Sequence, residues 1–291
     1  MPDSSERERR SEAMTLTDQL RIAVRSIQYG ERLRDKIAIG FLLSLYPLHP
    51  IGSLARHFGI RLPDPARVIK SYRCRSALGT FLCPGGGPYF LACDPSYDPG
   101  VASVIDQLTH GTFLDIGANV GFFTVRAARR LGTNGHVIAI EPHPKRFEVL
   151  RTNTALNRLD NVTCVPYAAG SANGHTKIFE PDHSFGPHPM DVSCFAIGDK
   201  AFDVEMRTID TILASIKAPP LSLVKIDVEG FEPQVISGML RTLESSGVPV
   251  IFEALDADAL AVTKTSLGKL GYSVNQIDHI NFLAERPIAS A

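Results

Sequence analysis

The sequence has no excess of charge of either sign: thirty lysines and arginines face thirty-one aspartates and glutamates, a formal net charge of −1 over 291 residues. The electrostatic footprint of a protein that coats nucleic acid is missing, so no nucleic-acid partner is expected. Long apolar runs are missing too. The most apolar stretch, Ile37 to Tyr46 (IAIGFLLSLY), meets Pro47 and Pro50 at once and falls well short of the roughly 20 residues that cross a bilayer. It reads as a buried or docking helix. Met1 to Lys36 alternates charges with no apolar core behind a basic start, so no ordinary cleaved signal peptide is expected. Cysteine is scarce and scattered: five, at positions 74, 83, 93, 164 and 194, form no C-x-x-C pair. That spacing points to neither a zinc ribbon nor a closed disulfide framework, and free thiols in a reducing cytosol, hence a cytoplasmic protein, are the expectation. Repeats and low-complexity blocks are also absent. What is present, 44% hydrophobic and 21% charged residues, is the composition of a chain that folds around a core.

Three regions follow from the punctuation. Residues 1–36 form a charged segment, partly disordered or helical, and residues 37–100 an N-terminal extension of unknown role. Proline and glycine crowd Pro84 to Gly100, including three consecutive glycines at 85–87, which places a boundary there. Between Arg56 and Arg75 six basic residues face only Asp64. With the apolar helix before it, this stretch either rests on an anionic membrane surface or is a solvated basic face. From residue 101 to 291 the pattern becomes regular. Strand-length apolar runs at Thr112–Ile116, Val137–Glu141, Val162–Val165, Ser222–Asp227 and Val248–Glu253 alternate with helix-length stretches at Phe122–Leu131, Pro144–Asn157, Ile209–Ile216, Pro233–Leu243 and Ala257–Leu270. Strands apolar on both faces and separated by helices predict an α/β, doubly wound parallel sheet. Tyr272–Ile277 and Asn281–Glu285 complete it as an antiparallel hairpin at a sheet edge.

Two blocks carry chemistry. The first is Asp115-Ile116-Gly117-Ala118-Asn119-Val120-Gly121, between an apolar strand and a helix. Glycines there let the backbone approach a ligand, and the helix start offers free N–H groups. Glu141, followed by Pro142, ends the second strand 24 positions after Gly117, where an acid accepts hydrogen bonds from both hydroxyls of a ribose. The dinucleotide pattern G-x-G-x-x-G is not kept, since Asn119 stands at its second glycine. An uncharged nucleoside linker with an amino-acid head suits this loop better than a diphosphate. Asp115 meets the amino group of that head or caps the next helix. The second block is Lys225-Ile226-Asp227-Val228-Glu229-Gly230-Phe231-Glu232. Its acids open on the ligand rim as general base, metal ligand or positioning group, or else Glu229 and Glu232 are first-turn acids of a helix. Glu253 ends the fifth strand on the same rim. His183 and His188, in the insertion DHSFGPHP, either reach an acceptor or belong to a surface loop.

In this order, DIGANVGFFT (115–124), EPHP (141–144), NRLDNV (157–162), RTIDTIL (207–213) and KIDVEGFE (225–232) closely resemble the FkbM-type S-adenosylmethionine-dependent methyltransferases. The resemblance covers about residues 101–285. It implies a class I methyltransferase (Rossmann-like) fold: a seven-stranded sheet with helices on both faces, its last strand antiparallel, here preceded by a mostly helical N-terminal extension. It also implies O-methylation of hydroxyls on sugars, glycans or polyketide-like natural products. Carried over, it puts the methionine end of S-adenosylmethionine near Asp115, Gly117, Asn119 and Gly121, its ribose on Glu141, and Asp227 and Glu229 at the methyl-transfer rim; Ala118 and Pro142 are counted with the cofactor residues, and Glu253 either joins the catalytic acids at the mouth of the site or faces solvent. Whether a divalent metal joins these acids is left open. The alternatives are a nicotinamide oxidoreductase, which the loop's glycine pattern disfavours, and a non-catalytic nucleoside-binding or membrane-docking module. Charge is unevenly spread: residues 199–258 hold eleven acids against five bases, which suits a neutral hydroxylated acceptor better than a polyanion.

Overall fold

A computed structural model describes residues 24–45, 65–85, 88–180, 200–217, 219–255 and 257–287. His183 and His188 lie outside them. The extension contributes α1 (Leu33–Leu45), a hairpin of β1 (Ser71–Ser76) and β2 (Gly79–Pro84), and α2 (Tyr89–Ala92). There follow α3 (Pro99–Ile105), β3 (Gly111–Ile116), α4 (Phe122–Leu131), β4 (Gly135–Ile140), α5 (Pro144–Leu156), β5 (Val162–Val165), β6 (Ala168–Ala169), β7 (Gly174–Glu180), β8 (Lys200–Arg207), α6 (Ile209–Ser215) and β9 (Leu221–Ile226). The chain continues with α7 (Glu232–Ser237), α8 (Leu240–Ser246), β10 (Val250–Glu253), α9 (Ala257–Lys269), β11 (Ser273–Gln276) and β12 (Asn281–Glu285).

Seven strands form the main sheet in the order β11-β12-β10-β9-β3-β4-β5. All neighbours pair in parallel except β12, which runs antiparallel between β10 and β11. The mixed α/β class read from the alternation of strand and helix is the one observed, and its final strand is the antiparallel one. Alternation along each strand sends successive side chains to opposite faces. Leu114, Ile116, Ile138, Ile140, Val224, Ile226, Val250 and Phe252 build the core on one side. Phe113, Val137, Ala139, Leu223 and Ile251 build the other, with Ile105, Ala127 and Leu131 of the covering helices. Both faces are therefore dry, which is why the strands read as continuous apolar runs. The chain leaves β3 toward β4 on one side and returns at β9 on the other. This reversal of direction opens a crevice at the carboxyl ends of β3 and β9.

Three features depart from expectation. The stretch Pro233–Leu243, expected as one helix, is two, because Gly238 comes so close to the Gly170 carbonyl that an added Cβ would lie 1.9 Å from it. The Gly238 carbonyl also accepts from the Asp210 N–H at 3.1 Å rather than continuing a helical ladder. The extension, though it holds α1, also contains the β1–β2 hairpin, and a further small sheet of β6, β8 and β7 stands beside the main one. The strands before Glu141 and Asp227 end one residue earlier than expected, leaving both acids just beyond the sheet.

The hairpin is held to the rest of the chain by amide side chains. Asn153 of α5 accepts from Leu82 N–H at 2.7 Å and donates to the carbonyls of Leu82 and Val120 at 3.2 and 2.8 Å. Asn157 accepts from Thr80 N–H at 2.9 Å and donates to the Thr80 carbonyl at 2.7 Å. The backbone groups of β2 that would form an exposed edge are thereby satisfied. α1 buries Ala38, Ile39, Leu42 and Leu45 and leaves Leu33, Ile37 and Phe41 exposed at i, i+4 and i+8. Among the described residues no helix is long and apolar enough to cross a membrane.

Candidate active site

The turn after β3 fixes the floor of the crevice. Gly117 and Ala118 both donate to the Ile140 carbonyl at 2.9 Å, which draws the turn against the end of β4. Gly117 has φ 83°, and a Cβ there would lie 1.8 Å from the Asp227 carbonyl. The loop after β9 therefore presses on this glycine from the other side, and no larger residue fits. Asn119 takes a left-handed φ of 52°, a conformation asparagine tolerates better than most residues. Gly121, at φ 93°, caps α4.

Glu141 then locks the turn. It is 3% exposed; Oε2 accepts from Asn119 N–H and Oε1 from His143 N–H, each at 2.8 Å. Burial raises its pKa, while Arg146 and the two N–H donors oppose that shift. A carboxylate oxygen has two lone pairs, so both oxygens keep acceptor capacity toward a ligand. Asp115, 1% exposed, sits beneath the loop. Its Oδ2 accepts from Thr124 Oγ1 at 2.5 Å, while Oδ1 has no hydrogen-bond partner. Burial raises the pKa of Asp115 and Lys225 opposes the rise.

Lys225, to which the sequence had assigned no role, organises the other wall. It is opposite Asp115 in the β3–β9 register and only 3% exposed. Its Nζ lies 2.7 Å from Asp227 Oδ2 and 4.9 Å from the centre of the Phe123 ring. Burial alone would lower its pKa, but Asp227, Asp115 and Glu253 outweigh that and raise it. A lysine inside the apolar run SLVKID was the signal in the sequence, since a buried charge demands a partner.

Asp227, Glu229 and Glu253 place carboxylate oxygens within 4.8 Å of one another. Three carboxylates that close cannot all stay ionised without a shared proton or a cation. Burial, followed by the charges of Asp227 and Glu229, pushes Glu253 up to about 10, and its Oε2 has no hydrogen-bond partner. The trio can thus share a proton at neutral pH, or offer oxygen ligands to one hard cation. Glu229 stands at φ 56° and Gly230 at φ 96°, so the loop that presents Glu229 is strained. Glu232 is different. Its Oε1 accepts from Val228 and Gly230 N–H at 3.2 and 3.1 Å, bracing the strained loop from behind at the start of α7.

One cleft joins these pieces. Gly117, Asn119, Glu141 and Pro142 line it together with Asp227, Glu229 and Glu253. Asp115, Ala118 and Gly121 do not face it; they lie in the loop that forms its floor. Sequence reasoning missed Tyr97, Asp98, Arg146, Ala168, Ala169, Val228 and Ile280, which also line the cleft. Tyr97 and Asp98 come from the punctuated stretch before α3, and Ala168 and Ala169 from the short strand β6. Neither has a motif to announce it.

Comparison with known proteins bears on this cleft. A model of the methyltransferase FkbM domain matches residues 115–274, more than half of the chain. The chain is 28% identical over 169 residues to the hexuronic acid methyltransferase AglP of Haloferax volcanii, a match covering 56% of this chain and 65% of that protein. The chain thus spans less than two thirds of that relative's length. Among solved structures it is similar to a methyltransferase FkbM from Methylobacillus flagellatus KT, at 17% identity and a TM-score of 0.45, over 67% of this chain and 52% of that one. It is similar also to an S-adenosylmethionine-dependent O-methyltransferase of Thermotoga maritima, at 11% identity and a TM-score of 0.43, over 76% and 88% of the two chains.

Proposed function

Because the chain belongs to the FkbM methyltransferase family, we propose that it methylates a hydroxyl oxygen of a sugar, glycan or similarly hydroxylated natural product, with S-adenosylmethionine as donor. One observation carries this reading: a single cleft brings Glu141 and the loop after β3 together with the acids Asp227, Glu229 and Glu253. The residues fit the donor. Glu141 keeps lone pairs for ribose hydroxyls, Asn119 Oδ1 on the cleft wall is a buried acceptor with no hydrogen-bond partner, and the closeness of the Asp227 carbonyl keeps position 117 a glycine. Gly117, Asn119, Glu141 and Pro142 would contact the cofactor, and Asp115, Ala118 and Gly121 would shape the loop beneath it. When bound, S-adenosylmethionine supplies an electrophilic methyl group.

The chain's own residues then have to orient an acceptor oxygen and take its proton. Glu253, held near 10, is protonated at neutral pH and donates a hydrogen bond rather than accepting one. Asp227, fixed by Lys225 at 2.7 Å, is the carboxylate aimed to accept the acceptor's proton, with Glu229 beside it. A sugar acceptor is favoured by the hexuronic acid on which the Haloferax relative acts.

Isothermal titration calorimetry tests the donor site. Glu141→Ala should weaken S-adenosylmethionine binding about 100-fold, the loss expected from two charge-assisted hydrogen bonds. Unchanged binding, or no binding by the wild-type chain, would overturn the assignment. Mass spectrometry of hydroxylated glycans incubated with labelled donor then reads the acceptor as a gain of one methyl.

A further inference from the structure

Away from the cleft, the extension gathers a second set of metal-ligand side chains. The hairpin register pairs Tyr72 with Cys83 and Cys74 with Phe81, so Cys74 and Cys83 lie diagonally across neighbouring strands. Cys93 follows as the C-terminal cap of α2. All three are fully buried. Their Sγ atoms lie within 4.8 Å of one another, with Cys83 and Cys93 at 3.9 Å. A single buried cysteine is ordinarily a small apolar filler; three that converge on one point form a ligand set. Bonds of about 2.3 Å from a tetrahedral zinc ion hold its sulfurs roughly 3.8 Å apart, close to the separation of Cys83 and Cys93. Thiolate donors select soft ions over magnesium or calcium. A disulfide would use two sulfurs and leave the third idle.

We propose that Cys74, Cys83 and Cys93 bind one thiophilic d10 cation of the zinc class, which staples the hairpin to α2 within the extension. The negative charge of the nearby Asp35 carboxylate opposes ionisation of Cys74 and Cys83, an opposition that a bound cation would offset. Asp35 is held in place by accepting from the backbone N–H groups of Arg32 and Arg73. Binding releases thiol protons to solvent and needs no oxidant. The position of the site gives it leverage. Phe81, between the two hairpin cysteines, packs its ring 4.8 Å from that of Phe122, the first residue of α4. Cys93 leads within five residues to Tyr97 and Asp98 on the cleft wall. An ion here therefore ties α2 to the hairpin, and the Phe81–Phe122 contact sets that stapled unit against the start of α4.

The test uses the full chain, reduced and stripped of metal, with Co2+ as probe. A thiolate-to-cobalt charge-transfer band should saturate at one equivalent and be displaced by Zn2+. It should disappear in Cys83→Ser and Cys93→Ser and persist in Cys164→Ser and in Asp227→Asn. Absence of the band in the folded wild-type chain, or its survival in both serine variants of the cluster, would overturn the proposal. Because a serine in this core can itself weaken folding, a wild-type measurement stands beside it. Zn2+ should raise the thermal midpoint, Mg2+ should not, and a chelator should reverse the rise; equal midpoints with and without Zn2+ would refute the staple.

Discussion

The acidic rim of the cleft and the thiol cluster of the extension are both groups of three potential ligands within 4.8 Å, yet they are built on opposite principles. The rim is made of hard oxygens at the ends of parallel strands, where the sheet's reversal of direction opens it to a ligand. Lys225 fixes its central carboxylate, and burial beside two other acids favours the protonated form of Glu253. The cluster is made of soft sulfurs in a dry core, brought together by a hairpin and a short helix. Crowded charge must face something that moves in and out, whereas a buried thiol set suits something that stays. The former is suited to chemistry and the latter to holding parts together.

This contrast can be broken most forcefully at Lys225. Lys225→Met removes the buried cation between Asp115 and Asp227 and should cost about 4 kcal/mol of stability in urea unfolding, the scale of a buried pair that loses one partner. A loss below about 1 kcal/mol would mean that the rim does not depend on its lysine. Asp227→Asn keeps the shape and removes the proposed acceptor of the proton. It should leave cofactor binding within about twofold and slow turnover on the order of 1,000-fold; equal losses in both would make Asp227 a binding residue instead.

The extension can be probed without touching sulfur. Asn153→Ala deprives Leu82 N–H and the Leu82 and Val120 carbonyls of their partners, at an expected cost of about 2 kcal/mol. Proteolysis should then cut the hairpin before the sheet, and simultaneous loss of both would show that the two regions unfold as one. The smallest expected effect concerns pH. Glu253 is held at about 10 in the folded chain against about 4.3 when unfolded. Its contribution is full below the unfolded value and lost as pH rises toward 10. Between pH 7 and pH 8 wild-type stability should therefore fall relative to Glu253→Gln, by at most about 1.4 kcal/mol. Parallel pH profiles would show that the carboxyl is not protonated in the fold.

The order of strands and helices, the turn after β3 and the acids after β9 were legible in the sequence, because each is local. A parallel strand covered on both faces must be apolar throughout, a tight turn must hold glycine, and an acid at a strand end must be used or satisfied. The expected helix at Pro233–Leu243 failed at Gly238, whose close approach to Gly170 is a contact between distant segments. The β1–β2 hairpin escaped notice because SYRCRS and GTFLCP lack the apolar continuity of the main sheet, and their backbone is satisfied by Asn153 and Asn157, some 70 residues away. Tyr97, Asp98, Ala168 and Ala169 reach the cleft only because the chain returns there.

By itself, then, the sequence determined the α/β class, the loop around Gly117 and the family of motifs from Asp115 to Glu232, since periodicity and turn chemistry act over a few residues. Only the tertiary structure decided that Asp115 lies beneath the cleft rather than in it, that Lys225 neutralises two strands at once, and that three cysteines with no common motif meet at one point. Those are facts about which distant residues share a small dry volume. There, burial and charge act across space, and spacing along the chain carries no record of them.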